Sequence, residues 1–136
     1  SDYRIAMIHL PTGRVTKKIS SYASGDIPLI SREQRMAYES FLFLKPSGEK
    51  CVLACRYADR IEIFDLERNS SKVVWGPEGY KPNVMVATGN DGKKLSTRSA
   101  DTRYAFISGK TTNRFIYLLY SGHNHLSKHL YYGNCL

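Results

Sequence analysis

The chain has 136 residues, 42% hydrophobic and 24% charged, which suits one soluble domain with a real core. Its apolar runs fall far short of the ~20 residues that cross a bilayer, so no membrane span is expected. The formal charge of +8 comes from scattered Lys and Arg, with Lys17-Lys18 and Lys93-Lys94 the only Lys pairs, and that scatter points to a solvated basic surface more than to a compact nucleic-acid site.

Residues 3–10 read as a strand, Pro11-Thr12-Gly13 as a turn and residues 14–20 as a returning strand. Residues 21–36 read as a long loop with a short helical turn at Ser31 to Arg35, where Ser31 and Gln34 have capping-box spacing. A strand from Tyr38 to Leu44 and the turn Lys45-Pro46-Ser47-Gly48 follow. Three short apolar runs come next, Cys51 to Cys55, Ile61 to Leu66 and Val73 to Trp75, with turn-forming residues between them. The alternation of Ile61 and Ile63 with Glu62 and Phe64 is period two, as in an antiparallel meander. Residues 76–100 read as a long connection with one hairpin-like excursion, a strand at Val84 to Ala87 and a turn at Asn90-Asp91-Gly92. Residues 102–108 and 114–120 form a last strand pair, and Leu130 to Tyr132 resumes apolar character.

Two stretches repeat. Residues 60–66 (RIEIFDL) resemble residues 4–10 (RIAMIHL), and residues 113–120 lie over residues 49–56. Each match keeps its place in the meander, so the first hairpin corresponds to the last two strands of the central unit and the pair 102–120 to its first two. A repeated four-stranded meander points to a β-propeller blade; a β-sandwich whose hairpins share composition is the alternative.

On the residues ACRYADRIEIFDL (54–66), Trp75-Gly76-Pro77-Glu78 and FIYLLYSG (115–122), the chain resembles the TolB-like six-bladed propeller family of uncharacterised bacterial proteins. The resemblance covers residues 38–122 well, with Trp75-Gly76-Pro77 where the family carries a "YGP" element. It implies an all-β fold and brings no catalytic residues. A six-bladed ring needs far more than 136 residues, so the expectation is a single propeller-like domain over 1–136, holding one full blade and two half blades, as a fragment or truncated member.

Cys51, Cys55 and Cys135 are odd in number. Four residues along a strand place Cys51 and Cys55 roughly 13 Å apart, too far for a disulfide, so they read as small core residues. His123, His125 and His129 could offer imidazoles to Zn or Cu, but Asp101 is the closest acid in sequence, and a polar loop is the expected reading; no metal site and no cofactor follow. Ser121-Gly122-His123 lacks the nucleophile-elbow pattern. Asp59, Glu62 and Asp65 read as solvent-facing or turn residues, and Asn90-Asp91-Gly92 as a turn lacking the other ligands of a calcium loop. Tyr57, Trp75, Tyr80, Tyr120, Tyr131 and Tyr132 lie near turns or strand ends. With Arg56, Arg60 and Lys81 they could form a basic-aromatic binding surface, or they could pack between blades.

The function expected is therefore a non-enzymatic propeller-type module that binds a protein or small ligand. A nucleic-acid-binding module is the alternative, and a propeller-based hydrolase or lyase shows no catalytic constellation. A location in the cell envelope or periplasm is expected if an upstream signal was removed before Ser1. Val52, Leu53, Ile61, Ile63, Phe64, Val73, Trp75, Phe106, Phe115, Ile116 and Leu118 are expected to be largely buried. Unpaired strand edges lead to a last expectation, a homodimer or higher oligomer formed by strand exchange at the N-terminal hairpin.

Overall fold

The computed structural model describes residues 3–19 and 37–124. The helical turn expected at Ser31 to Arg35, with His125, His129, Tyr131, Tyr132 and Cys135, lies outside the described residues. The described residues form ten strands, all paired antiparallel: β1 (Ile5–His9), β2 (Arg14–Ile19), β3 (Ser40–Leu44), β4 (Lys50–Cys55), β5 (Arg60–Asp65), β6 (Ser70–Trp75), β7 (Met85–Thr88), β8 (Lys94–Thr97), β9 (Phe106–Thr111) and β10 (Ile116–Tyr120).

The central unit is a four-stranded meander in the order β3-β4-β5-β6. Its hairpins are closed by local chemistry. Between β5 and β6, the Asp65 carboxylate accepts from the Glu67 and Arg68 amides, and Asn69 takes a positive φ of 56°, a conformation Asn tolerates better than most side chains. The hairpins β1-β2, β7-β8 and β9-β10 form separate two-stranded sheets. The β7-β8 hairpin is the excursion expected within residues 76–100, turning at Asn90-Asp91-Gly92.

Strand alternation gives the meander two faces, each with its own cover. On one face Cys51, Leu53 and Phe64 pack against Ile5 and Ile19 of the β1-β2 hairpin. On the other, Ala54, Phe43 and Ile61 pack against Ala105, Phe106, Leu118 and Tyr120, from β9-β10 and the residues before it. Backbone and side-chain bonds fix the second contact: Ala105 N–H donates to the Arg56 carbonyl at 2.8 Å and the Thr111 hydroxyl to the Leu44 carbonyl at 2.6 Å. Half a blade thus flanks a full blade on each side.

Three expectations change. Phe115 is 60% exposed and Trp75 38% exposed, because β10 begins at Ile116 and its outward side has no cover among the described residues, while Trp75 ends the edge strand β6. The last strand pair begins later than expected, at Phe106. The repeat register also moves by one residue. Ile116, Leu118 and Tyr120 are the β10 residues turned to the full blade, as Cys51, Leu53 and Cys55 of β4 are turned to β1-β2. Ile116 therefore takes the place of Cys51, whereas the sequence overlay put Phe115 there. The match of residues 60–66 to 4–10 keeps its register, since Ile5 faces the next blade just as Ile61 does.

Candidate functional site

The elements converge at one end of the full blade. The β4-β5 turn (56–59), the loop after β6 (76–80), the approach to β9 (102–105) and the exit of β10 (121–123) meet there. Asp59 holds the turn and the loop together. Its carboxylate accepts from the amides of Glu78 at 2.6 Å and Gly79 at 2.7 Å, and its own amide donates to the Tyr80 carbonyl at 3.0 Å. The side chain is fully buried, so Asp59 acts as a structural clamp within the turn and is closed to solvent. Gly76 allows this: a Cβ there would come within 1.9 Å of Asp59 Oδ1.

Tyr80 and Tyr120 are brought together over this clamp. Arg103 lies 4.0 Å from the centroid of the Tyr80 ring, donates to the Gly122 carbonyl at 2.9 and 2.8 Å, and pairs with Glu78. The Tyr120 hydroxyl donates to the other Glu78 oxygen at 2.8 Å. The hydrogen bond from Arg103 holds the Glu78 carboxyl below its usual range, and burial pushes the Tyr80 and Tyr120 phenols up. Near neutral pH these groups keep their protonation states, so the cluster suits fixed charge recognition and gives no poised acid or base.

Arg56 and Tyr57 form a second cluster at the same end. The Arg56 guanidinium lies 5.6 Å from the Tyr57 ring and 6.0 Å from the Phe41 ring, and pairs with Glu39 at 3.2 Å. The Tyr57 and Tyr104 rings are 5.7 Å apart, and Arg98 donates to the Tyr104 hydroxyl at 2.9 Å. Arg56 is half-buried and Arg98 exposed. Lys81 is exposed at the rim of the first cluster.

Arg60 is not with them. It is buried on the β1-β2 face with Glu62, also buried, where Arg60 and Arg4 both pair with the Glu62 carboxylate. Arg4 also donates to the Tyr38 carbonyl at 3.2 Å and the Ser40 hydroxyl at 3.1 Å. The expectation that Glu62 faces solvent is corrected here: the N-terminal hairpin covers this face, and two guanidiniums compensate the charge. Arg60 Nε and Nη2 and Glu62 Oε2 make no hydrogen bond among the described residues.

Cys51 and Cys55 are free and buried, and burial pushes the Cys51 thiol up to about 11 and the Cys55 thiol upward as well, which leaves both inert. His123 is exposed, and its carbonyl accepts from the Tyr104 amide at 2.9 Å. Among the described residues no group of three or more His, Cys, Asp and Glu is placed to hold a metal ion. No described helix is long and apolar enough to cross a membrane. Glu39, Glu78, Arg98, Arg103 and Tyr104 escaped sequence reasoning because they come from separate strand approaches; only Glu78, in the Gly-Pro-Glu-Gly turn, stood in a visible motif.

Comparison with curated proteins and with solved structures gives no match. Residues 1–131 match the family model described as TolB-like 6-blade propeller-like, and with its blade-type meander flanked by two half blades the chain belongs to that family.

Proposed function

We propose that the chain is a single propeller-type interaction module that works by binding, and that the end of the blade carrying Arg56, Tyr57, Tyr80, Lys81 and Tyr120 holds a protein ligand with acidic side chains. The observation that supports this reading is the half-buried Arg56 guanidinium beside the Phe41 ring and the buried Tyr57 ring, with the exposed Arg98 guanidinium hydrogen-bonded to the Tyr104 hydroxyl. Arg56 beside the partly exposed Phe41 ring offers charge and apolar area together, and Arg98 adds a second exposed charge, which favours acidic partners. The net charge of +8 favours nucleic acid as a second reading. Fluorescence anisotropy with labelled acidic peptides, neutral peptides and oligo(dT) tests both. Acidic-peptide binding that falls about tenfold in Arg56→Ala/Arg98→Ala supports the first reading. Oligo(dT) binding that drops steeply with salt supports the second, and no binding by any probe at low salt sinks both.

The proposal extends to self-association. The β10 edge has no partner among the described residues, nor has the outer edge of β1, and such edges are templates for strand pairing. Light scattering should give a mass at least twice that of one chain; a clean monomer overturns this part alone.

A further inference from the structure

The repeat makes the two open edges complementary. β9-β10 corresponds to β3-β4, the first half of a blade, and β1-β2 corresponds to β5-β6, the second half. Resting on the self-association proposed above, we infer that β10 of one chain pairs with β1 of a second copy to complete a composite four-stranded blade, in the register that β4 and β5 already use.

That register is fixed by the structure. In the full blade Cys51 lies opposite Phe64, Val52 opposite Ile63 and Leu53 opposite Glu62. Ile116 stands in the place of Cys51, and Ile8 in the place of Phe64. Carried over, Ile116 lies opposite Ile8 of the second copy, Tyr117 opposite Met7, and Leu118 opposite Ala6.

The exposed residues fit this arrangement. Phe64 is fully buried and Leu66 packs beside it, yet their counterparts Ile8 and Leu10 are 54% and 90% exposed. In the composite blade both turn toward the face of the full blade that β9-β10 leaves open. That face now carries a cleft of about 210 Å³, with Val52, Ile63 and Ile116 in its apolar lining. Ile8 and Leu10 would cover this lining as Phe64 and Leu66 cover Ile5 and Ile19 across the existing blade contact.

A polar contact repeats as well. Lys17 donates its ammonium to the Leu66 carbonyl, joining the N-terminal hairpin to the full blade. Lys17 lies opposite Met7 on β2, and Lys72 lies opposite Ile63 on β6. Lys72 is therefore the counterpart of Lys17, and Leu10 that of Leu66. The composite blade lets Lys72 reach the Leu10 carbonyl of the second copy, so the sequence repeats both the lysine and its acceptor position.

The test is intermolecular cross-linking of the full chain, in a Cys135→Ser background. Met7→Cys and Tyr117→Cys are made in separate chains, mixed and oxidised. Directly opposed residues on paired strands have Cα atoms about 4.5–5.5 Å apart, within disulfide reach. The expected result is a covalent dimer in the mixture, absent when Ala6→Cys replaces Met7→Cys, because that side chain points to the opposite face. Light scattering on the same samples separates the two readings. A monomeric mass overturns self-association and the composite blade together. An oligomeric mass with no Met7–Tyr117 cross-link, or with the Ala6 pair cross-linking instead, overturns the composite blade and leaves self-association standing.

Discussion

On β5, Arg60 and Glu62 are two residues apart, point to one face, and are both closed off from water while paired with each other. A buried pair of this kind contributes little net stability, but breaking it strands a charge. Glu62→Ala leaves two guanidiniums without their carboxylate and should cost about 3–5 kcal/mol in urea unfolding. Arg60→Met with Glu62→Leu should lose less than Glu62→Ala alone. Additive losses in the double variant would show that the two side chains are not coupled.

The buried ring on the same strand sets the scale of the core. Phe64 is fully buried among Ile19, Cys51 and Leu53, so Phe64→Ala should cost about 3–5 kcal/mol. Leu42, on the neighbouring exposed part of β3, should cost less than about 1 kcal/mol as Leu42→Ala. Chemical denaturation of both variants gives the comparison, and equal losses would mean that β1-β2 does not cover the sheet as described.

Gly76 and Asp59 form a steric pair. Gly76→Ala places a methyl group within 1.9 Å of Asp59 Oδ1 and must push the carboxylate off the Glu78 and Gly79 amides. Asp59→Ala strands those amides directly, at about 1–3 kcal/mol. In Gly76→Ala/Asp59→Ala the clash is gone, so the double variant should be no less stable than Asp59→Ala. A further loss in the double variant would place the strain elsewhere.

The Glu78 carboxyl is held below its ordinary 4.5, first by its hydrogen bond from Arg103 and then by that from Tyr120. A carboxyl depressed in the folded state contributes stability above its unfolded pKa and loses it as pH falls through the lower folded value. The effect is confined to acid below about pH 4.5. Melting temperature against pH should fall less steeply below that point in Glu78→Gln than in the parent chain, and parallel acid limbs would show that the network adds nothing.

The meander was legible from residues alone. Ile61-Glu62-Ile63-Phe64 alternates by two, and turn residues punctuate each strand, so local backbone preference and hydrophobic pattern agree. The repeat of RIEIFDL and RIAMIHL was legible for the same reason, since both strands serve one position in a blade. Sequence similarity could not fix the β10 register, because a shift of one residue exchanges the two faces of a strand, and only the packing of Leu118 and Tyr120 against Ala54 shows which face is inward. Nor could it show Glu62 and Arg60 buried. A charged residue reads as exposed until a distant segment covers it, and here that segment is β1-β2, which brings Arg4 to the same carboxylate. The clusters at the blade end have the same origin. Their members lie far apart in the chain, and the antiparallel sheets, by aligning successive turns, bring Glu78 to Arg103 and Tyr57 to Tyr104.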